Sequence, residues 1–573
     1  MLTRVIALAA ALILMATAAE AHRVALFIGQ SAYPGAAQFD IPVRDAARMA
    51  KIFTEHGFEV LATEGKAIIA ERKTKVAQAA RVELEPNDPE TWIRFGETAR
   101  DAGRSDEAKR AFEQAAAHAG EERDLKHRVK ATYRLSDIAV MQGDLKKAHE
   151  LATMAREMAE RRVKSTPDDL DAERELSVCY EKIGDVLVKQ GNLPGSLESY
   201  RASLTIRERL TRADPGNAGW QYDLGISNER IGDVLMAQGS LDAALYHYRA
   251  RNEIISRLAK ADPGNAGWQR DLSVSHNKIG DVLVKQGNLP GSLESYRASL
   301  TIRERLTKAD PGNAGWQRDL SVSYNKIGDV LRAQGNLPGS LESFRASHAI
   351  FGRLTKADPG NAGWQHDLSV SQEKIGDVLV AQGNLPAALE SYKLDLAIME
   401  RLAKADPGNA GWQRDLSVSH NKIGDVLVAQ GNLPGSLESY RASLAIRERL
   451  AKVDPGNAGW QYDLGISNER IGNVLLAQGS LDAALKHYRA KNEIISRLAK
   501  ADPGNAGWQR DLSVSHDKIG RLLEKQGNLR EAFEHYRENL AIAERLAARD
   551  PSNTQWQRDL EISRQRMKRL GAQ

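Results

Sequence analysis

Residues Trp268 to Ser275 read WQRDLSVS, and almost the same letters recur along most of the chain. The tryptophan that opens this stretch returns every 48 residues without a slip. Self-similarity at a fixed period of about 20–50 residues is typical of solenoids, in which like units stack on one another. Aromatic residues at a fixed repeat position usually pack, so we predict a structural role for them. The tryptophans are Trp220, Trp268, Trp316, Trp364, Trp412, Trp460, Trp508 and Trp556.

Turn residues divide each repeat into two helical halves. Residues 310–313 read Asp-Pro-Gly-Asn, where proline fixes φ at one corner and glycine tolerates a left-handed corner. Asn313 can then cap the helix that carries Trp316. Residues 335–338 read Gly-Asn-Leu-Pro and form the second break, with Pro338 in the first turn of the next helix. Each unit is therefore predicted to be a hairpin of two helices, A and B.

Helix B has apolar residues on two opposite faces. Leu293, Tyr296 and Leu300 recur on one face, whereas Ile302 and Leu306 lie nearly opposite at the helical period. Helix A of the same unit can cover one face, but the other face needs the following unit. The sequence therefore predicts an all-α stack whose stability adds up over units and interfaces.

A shorter stretch ahead of these units carries a pattern of large and small residues. Its members are Trp92, Phe95, Gly96, Ala99, Ala108, Phe112 and Ala115. This pattern resembles the tetratricopeptide repeat (TPR), in which two antiparallel helices interlock. In the 48-residue unit, Ile279, Gly280, Leu283, Gly287, Ser292, Tyr296 and Ser299 occupy the positions of Phe95, Gly96, Ala99, Gly103, Ala108, Phe112 and Ala115. The resemblance implies a right-handed solenoid of helical hairpins with a concave groove that holds peptide ligands.

These patterns set the expected domain boundaries. Residues 89–123 form one TPR of standard length, and nine TPR-like units follow at 124–555. Residues 556–573 form a C-terminal capping helix that is rich in Arg and Lys, as suits a solvated outer face. Residues 64–88 are charged and alanine-rich, and we interpret them as a linker or helix.

The N-terminus has the pattern of a secretory signal peptide, residues 1–21. Arg4 precedes an apolar run from residue 5 to residue 15, which leads to the small-residue site Ala19-Glu20-Ala21. We therefore expect export to the periplasm or the medium, and no membrane span after cleavage. An uncleaved anchor is the alternative, but its apolar run is shorter than the about 20 residues that span a bilayer.

Residues 22–63 suggest a strand, a helix and a second strand, which is one small α/β (βαβ) unit. Three short stretches carry a resemblance to a known fold, residues 23–33, 42–46 and 57–60. They resemble the start of the caspase-like fold of bacterial metacaspase-type proteins, whose enzymes are Cys-His endopeptidases. His56-Gly57 falls in a turn where that family does not place its catalytic His, and Cys179 lies inside a helical repeat. We therefore expect a truncated segment without catalytic residues, and no enzyme.

Composition excludes several function classes. Hydrophobic residues make up 42% of the chain, enough to bury a long core. Lys plus Arg number 80 and Asp plus Glu 76, and both signs are interleaved, so no basic block predicts nucleic-acid binding. The single cysteine, Cys179, excludes an intramolecular disulfide framework.

No motif in the sequence points to a metal or a cofactor. The P-loop, H-E-x-x-H, C-x-x-C and G-x-S-x-G patterns are absent. His276, His420 and His516 share one repeat position, but Tyr324 and Gln372 occupy it in other units. Interchangeable residues argue against a metal ligand there.

The candidate binding residues lie on helix A. Asn277, Asp281 and Lys285 are spaced i, i+4 and i+8, so they share one ridge, which the TPR resemblance directs to the concave groove. The equivalents in other units are Asn325, Asp329, Glu373, Asp377, Asn421 and Asp425. An Asp here would repel a carboxylate, so we expect a partner with basic side chains or exposed backbone amides. The alternative is a solvated ladder of salt bridges to Lys278 and its equivalents.

The sequence thus favours a non-catalytic TPR scaffold that binds a protein or peptide along its groove. A caspase-like cysteine endopeptidase with a TPR array is the first alternative, and the missing catalytic pair stands against it. The second alternative is an array that associates with itself through its exposed helix ends.

Overall fold

The computed structural model describes residues 88–120 and 124–571. These residues form 21 helices, and no strand occurs among them. The chain divides into two compact units, 1–131 and 132–573, which are described separately below. The expected signal peptide and the βαβ segment at 22–63 fall outside the described residues, as does nearly all of the 64–88 linker.

The helices are numbered here in chain order. They are α1 (Pro89–Asp101), α2 (Ser105–Ala119), α3 (Leu125–Met141), α4 (Leu145–Ser165), α5 (Leu170–Lys189), α6 (Leu193–Ala213), α7 (Ala218–Ala237), α8 (Leu241–Ala261), α9 (Ala266–Lys285), α10 (Leu289–Ala309), α11 (Ala314–Ala333), α12 (Leu337–Ala357), α13 (Ala362–Ala381), α14 (Leu385–Ala405), α15 (Ala410–Ala429), α16 (Leu433–Val453), α17 (Ala458–Ala477), α18 (Leu481–Ala501), α19 (Ala506–Lys525), α20 (Leu529–Arg549) and α21 (Thr554–Gly571).

The first compact unit contains a short hairpin, α1 and α2. Asp88 caps α1 by accepting hydrogen bonds from the backbone N–H groups of Glu90 and Thr91, at 3.2 and 3.0 Å. The Phe112 ring of α2 packs onto Gly96 of α1 so closely that an added Cβ would stand 2.5 Å from it. This is the large-against-small contact that the TPR pattern predicts.

The second compact unit repeats one hairpin plan with longer helices. In the reference unit, residues 268–315, α9 is helix A with 20 residues and α10 is helix B with 21. Asn265 caps helix A by accepting a hydrogen bond from the N–H of Trp268 at 3.1 Å. Gly287 adopts φ +76° at the break, and Asn288 caps helix B through the N–H of Gly291 at 3.0 Å.

The extra helical length gives each hairpin two apolar layers. One layer, near the glycine break, surrounds Tyr248 and takes in Ile231 of the same unit and Val282 of the next. The other layer, at the opposite end of the hairpin, contains Ile255 and Leu258 and is covered by the next unit's tryptophan. Both layers therefore join successive units, as the two apolar faces of helix B require.

The tryptophans are only half-buried, whereas we expected fully packed side chains. Trp268 packs on Ile254, Ile255 and Leu258 of the preceding helix B. It stands in the first turn of helix A, at the end of the hairpin, where neighbours cover only part of the indole. Trp364, Trp412, Trp460 and Trp508 also pack against apolar clusters.

The last described helix, α21, occupies the place of a helix A after the ninth unit. Leu560 and Leu570 are buried against the preceding hairpin. Lys568 stands where the earlier A helices have the glycine that accepts an aromatic ring, such as Gly520. A helix B with the usual tyrosine could therefore not pack on α21 as it packs on α19.

Candidate functional site

The A helices of the second compact unit share an outward surface that we call the A face. In the reference unit its members are Arg270, Val274, Asp281 and Val284, which follow one another at helical spacing. Each is half-buried or exposed. Because every unit repeats the same hairpin, these side chains form rows that run from unit to unit.

Asp281 lies at a three-way contact between two units. Its carboxylate accepts a hydrogen bond from the Tyr296 hydroxyl of helix B at 2.6 Å. It also pairs with Lys326 Nζ of the next helix A at 2.6 Å. Burial, together with the neighbouring Asp281 carboxylate, raises the pKa of the Tyr296 hydroxyl above its usual value. The carboxylate is thus already satisfied by its own array.

The same pairing recurs along the second compact unit. The carboxylates, each followed by the cation of the next unit, are Asp137–Lys182 at 2.6 Å, Asp185–Arg230 at 3.6 Å, Asp233–Lys278 at 2.6 Å, Asp329–Lys374 at 2.8 Å, Asp377–Lys422 at 2.6 Å and Asp425–Arg470. At Asp377, burial opposes ionisation, but hydrogen bonds from Lys422 and Tyr392 outweigh it and lower the pKa of the carboxyl. This row therefore carries little unpaired charge.

The cations of this row also lie over aromatic rings. Lys326 Nζ stands 5.4 Å from the centre of the Tyr296 ring. Lys374 stands 5.3 Å from the ring of Phe344, which replaces the tyrosine in its unit. Such contacts contribute about 0.5–1 kcal/mol at exposed sites. From Lys278 to Arg470, each cation of the row is therefore fixed by a carboxylate and by a ring.

A second row of pairs runs near the start of the A helices. Arg270 Nε and Asp319 of the next unit are 2.5 Å apart. The equivalents are Arg174–Asp223 at 2.7 Å, Tyr222–Asp271 at 2.9 Å, Arg318–Asp367 at 2.9 Å, His366–Asp415 at 3.0 Å, Arg414–Asp463 at 2.7 Å, Tyr462–Asp511 at 2.8 Å and Arg510–Asp559 at 2.7 Å. Every A helix from α5 to α21 takes part in this row.

Asn277 is buried beneath the A face, although we expected it on an exposed ridge. The amide is assigned with its oxygen toward Arg303, because only this orientation satisfies both groups: the oxygen then accepts hydrogen bonds from the guanidinium at 3.0 and 3.2 Å, and the nitrogen donates to Ser299 Oγ at 3.0 Å. Asn277 therefore points into the hairpin because helix B presents a buried cation to it. Asn421 is also buried, whereas Lys285 is exposed.

The remaining two predicted site residues, Asn325 and Glu373, are half-buried. Glu373 pairs with Lys422 at 3.2 Å, alongside Asp377. The structure thus brings the predicted carboxylates together with lysines of the following units, or with Arg470 in the case of Asp425, and it removes two of the three predicted asparagines from the surface.

Buried cations on helix B are the polar residues that the sequence analysis missed. Arg207 is 3% exposed, and its guanidinium pairs with Glu181 at 2.6 Å. It also donates to Ser177 and Ser227, and to the backbone carbonyl of Asp223 in the next unit. Arg251 and Lys491 lie one helical turn earlier on helix B, at the position of Ser203, and pair with Glu229 and Glu469. Arg207 and Arg251 each join two units from inside.

Arg303 makes the same contacts without an ion pair. It donates to Ser273 and Ser323, and an asparagine takes the place of the glutamate. No carboxylate pairs with it in the described part of the chain. Burial lowers the pKa of the Arg303 guanidinium to about 10, although the Asp319 carboxylate opposes the change.

The A face also carries an exposed apolar row. Val188, Val284, Val380 and Val428 are each 38–40% exposed and occupy the same place in their units. Met236 and Leu476 hold this place in two further units, where they are half-buried. A second row, half-buried, contains Val274 and its Val or Ile equivalents in every unit from 172 onward. Contiguous apolar surface of this kind marks interaction sites.

Other features bear on chemistry. Cys179 is buried, and burial raises the pKa of its thiol, so the reactive thiolate is disfavoured. Within residues 88–120 and 124–571, no three His, Cys, Asp or Glu side chains are grouped to hold a metal ion. No helix in this part of the chain is both long and apolar enough to cross a bilayer.

Comparison with protein families identifies the repeats. A family model described as tetratricopeptide repeat matches residues 93–161, and a second one of the same description matches residues 517–551. These segments are tetratricopeptide repeats, as predicted. Neither match covers residues 22–63, so the expected caspase-like segment has no support. The search of curated proteins found no match.

Three solved structures are similar to this chain at low identity. BtubC (BKLC) from P. vanneervenii is 16% identical, over 46% of this chain and 92% of its own, with a TM-score of 0.37. The apo form of RapI is 14% identical, over 73% and 98%, with a TM-score of 0.42. MamA is 18% identical, over 39% and 97%, with a TM-score of 0.25.

Proposed function

We propose that this TPR-containing chain is a non-catalytic scaffold that binds a protein or peptide partner along the A face. The carrying observation is the exposed apolar row, Val188, Val284, Val380 and Val428, which recurs in register on a stack of like hairpins. A partner that spans several units would gain avidity from many weak contacts. The buried thiol of Cys179 supports the non-catalytic part of the proposal.

The expected preference for basic partners loses its main support. Asp281, Asp329, Asp377 and Asp425 each pair with a cation of the following unit. A basic ligand would have to displace a lysine or arginine that the protein already holds. Self-association by exposed helix ends is the competing function, and light scattering of the purified chain separates it from binding by a monomer.

A random peptide library selected against the purified chain tests the scaffold. We expect enriched peptides whose affinity falls about tenfold or more in the triple variant Val284→Lys, Val380→Lys, Val428→Lys. The control is Leu394→Lys, which changes an exposed apolar residue on helix B. Failure to enrich any peptide, or equal binding by both variants, would contradict the proposal.

Export stays part of the proposal, since it depends on the pattern of residues 1–21 alone. N-terminal sequencing of the protein recovered from its native source tests it. A new terminus at His22 supports export with cleavage, and a retained Arg4 contradicts it.

A further inference from the structure

We infer that the partner is an extended, uncharged polypeptide segment with an apolar side chain at about every third residue. This inference rests on the proposed function and specifies the chemistry of its ligand. Three observations support it: the charged side chains of the A face are paired with one another, apolar residues form rows on this face, and the A helices have a regular spacing.

The A face offers a charged ligand few unpaired groups, apart from exposed lysines in the last turn of three A helices, Lys189, Lys285 and Lys525. Each described carboxylate of the Asp281 row contacts a lysine or arginine of the next unit, and most of these pairs are 2.6–2.8 Å apart. The Arg270 row is paired in the same way along its length. A charged ligand would compete with these pairs and would also lose its own hydration. Charge complementarity therefore favours a neutral partner.

The apolar rows provide what a neutral partner needs. The exposed row contains Val284 and its equivalents, and the half-buried row contains Val274 and its equivalents. Between them lies the row of Asp281, neutralised by Lys326. A ligand side chain seated on the exposed valine would thus contact apolar surface without burying an unpaired charge. Removal of this apolar surface from water favours binding.

The spacing of the A helices sets the repeat of the ligand. The contact of Asp281 with Lys326 at 2.6 Å shows that successive A helices lie side by side. Helices with their side chains are about 10 Å wide, and three residues of an extended chain span about the same distance. A segment that crosses the helices in the extended polyproline II conformation, which has three residues per turn and a rise of about 3.1 Å per residue, would therefore present one side chain to each unit at every third residue.

Two charged residues interrupt the exposed row and divide it. Arg332 takes the valine's place in the unit at 316–363 and lies 3.2 Å from Asp377 of the next unit. Glu524 takes it in the unit at 508–555. The uninterrupted stretches are Val140 to Val284, with four units, and Val380 to Leu476, with three. A bound segment should therefore use three or four apolar side chains on either stretch.

Labelled peptides of defined sequence test the inference by fluorescence anisotropy. The first peptide has valine at every third position with serine between, the second has lysine in place of valine, and the third spaces the valines four residues apart. We expect the first to bind at least about tenfold more tightly than the others. Its Kd should change less than about twofold between 0.05 and 0.5 M NaCl, because no ion pair is formed.

The outcomes separate this inference from the proposed function. Preference for the lysine peptide, or equal binding of the two valine spacings, overturns the inference while the A face remains a binding surface. The inference is also overturned, and the proposed function kept, if library peptides bind the A face while no valine peptide binds. If neither library nor defined peptides bind, the proposed function fails as well. The variant Arg332→Val joins the two apolar stretches of the exposed row. If a longer valine peptide binds this variant more tightly than it binds the wild type, the result supports one ligand side chain per unit.

Discussion

The Arg207 guanidinium and the Glu181 carboxylate form an ion pair of 2.6 Å inside the hairpin, whereas the equivalent Arg303 faces Asn277. Both arginines are almost fully buried. The same array thus holds the same buried cation with and without a counter-charge. This difference gives a matched pair of substitutions.

We expect Glu181→Asn to lower the free energy of unfolding by about 2–3 kcal/mol, because it leaves Arg207 buried without its carboxylate. The reverse change, Asn277→Glu, should stabilise the unit. The new carboxylate would reach Arg303 as Glu181 reaches Arg207, and it would lie near Lys326 of the next unit as Glu229 lies near Lys278, at 4.0 Å. Denaturant unfolding followed by local hydrogen exchange measures both effects. The two changes in the free energy of unfolding need not be equal in size, but destabilisation by Asn277→Glu would contradict the proposed role of the buried ion pair.

Glycine in helix A is required by the aromatic ring of helix B. A Cβ on Gly376 would stand 2.5 Å from the Tyr392 ring, so Gly376→Ala should cost about 1–3 kcal/mol through overpacking. Gly352 is the control, since it is helical and has no atom within 4 Å of its added Cβ. Gly352→Ala should stabilise by up to about 1 kcal/mol through helix propensity. Thermal unfolding distinguishes the two, and a stabilising Gly376→Ala would refute the contact.

Asp395 is a buried carboxyl without a cation. It is 3% exposed and accepts a hydrogen bond from Ser369, and burial raises its pKa to about 6. Because its folded pKa exceeds its unfolded value, its stabilising contribution is present at low pH and is lost as the pH rises through about 6. Asp395→Ser, the residue at the equivalent Ser347, should therefore stabilise the protein at pH 7.5 by on the order of 2 kcal/mol and much less at pH 4.

The measurement is the unfolding midpoint of the wild type and of Asp395→Ser across this pH range. Glu373 and Asp415 are the neighbouring carboxylates that oppose ionisation of Asp395. Both remain in the variant, so the difference between the two curves isolates Asp395. A pH-independent difference would show that this carboxyl titrates normally.

His516 and His535 face each other in the last hairpin, with their Nδ1 atoms 2.9 Å apart. Burial, with a contribution from His535, lowers the pKa of His516 to about 4. A lowered folded pKa means that the unfolded chain binds the proton more tightly, so stability is lost as the pH falls from about 6.5 toward 4. We expect lower hydrogen-exchange protection factors, which correct the exchange rate for the intrinsic pH dependence of amide exchange, in α19 and α20 at pH 5 than at pH 7.5.

The substitution His516→Asn tests this titration. Asn468 occupies the equivalent place and contacts His487 at 2.9 Å, so asparagine fits the site. The loss of hydrogen-exchange protection between pH 7.5 and pH 5 should be smaller in the variant than in the wild type. The hairpin of α17 and α18 serves as an internal reference in the same sample, and an unchanged pH response in α19 and α20 would rule out His516 as its source.

The hairpin boundaries could be predicted because they depend on short-range chemistry. Asn313 caps helix A and the glycine at 335 adopts a positive φ, as their sequence neighbours indicate. The contact of Gly280 with Tyr296 also follows from the TPR pattern. These features need only residues that lie close in sequence or hold fixed repeat positions.

The partners of the surface charges could be predicted only in part, because they lie one unit away. We expected Asp281 either to face a ligand or to join a ladder with Lys278 and its equivalents. The ladder is present: Asp281 pairs with Lys326, the equivalent of Lys278 that lies 45 residues further along the chain, and Lys278 itself pairs with Asp233. Arg303 was missed for a related reason, because an arginine among glutamates on helix B looks like a solvated residue until the neighbouring unit covers it.

The repeated joints have a consequence for the length of this protein. Arg174 and Arg207 hold the unit that begins at residue 220 with the same residue types that Arg414 and Arg447 use for the unit at 460. Excision of residues 220–459 would bring Arg174 onto Asp463 and Arg207 onto Ser467, and every bond at the new junction would have a precedent in the parent chain. Recombination between near-identical copies could therefore shorten or lengthen the array in whole units. The length of the array would change, whereas the contacts between neighbouring units would stay the same.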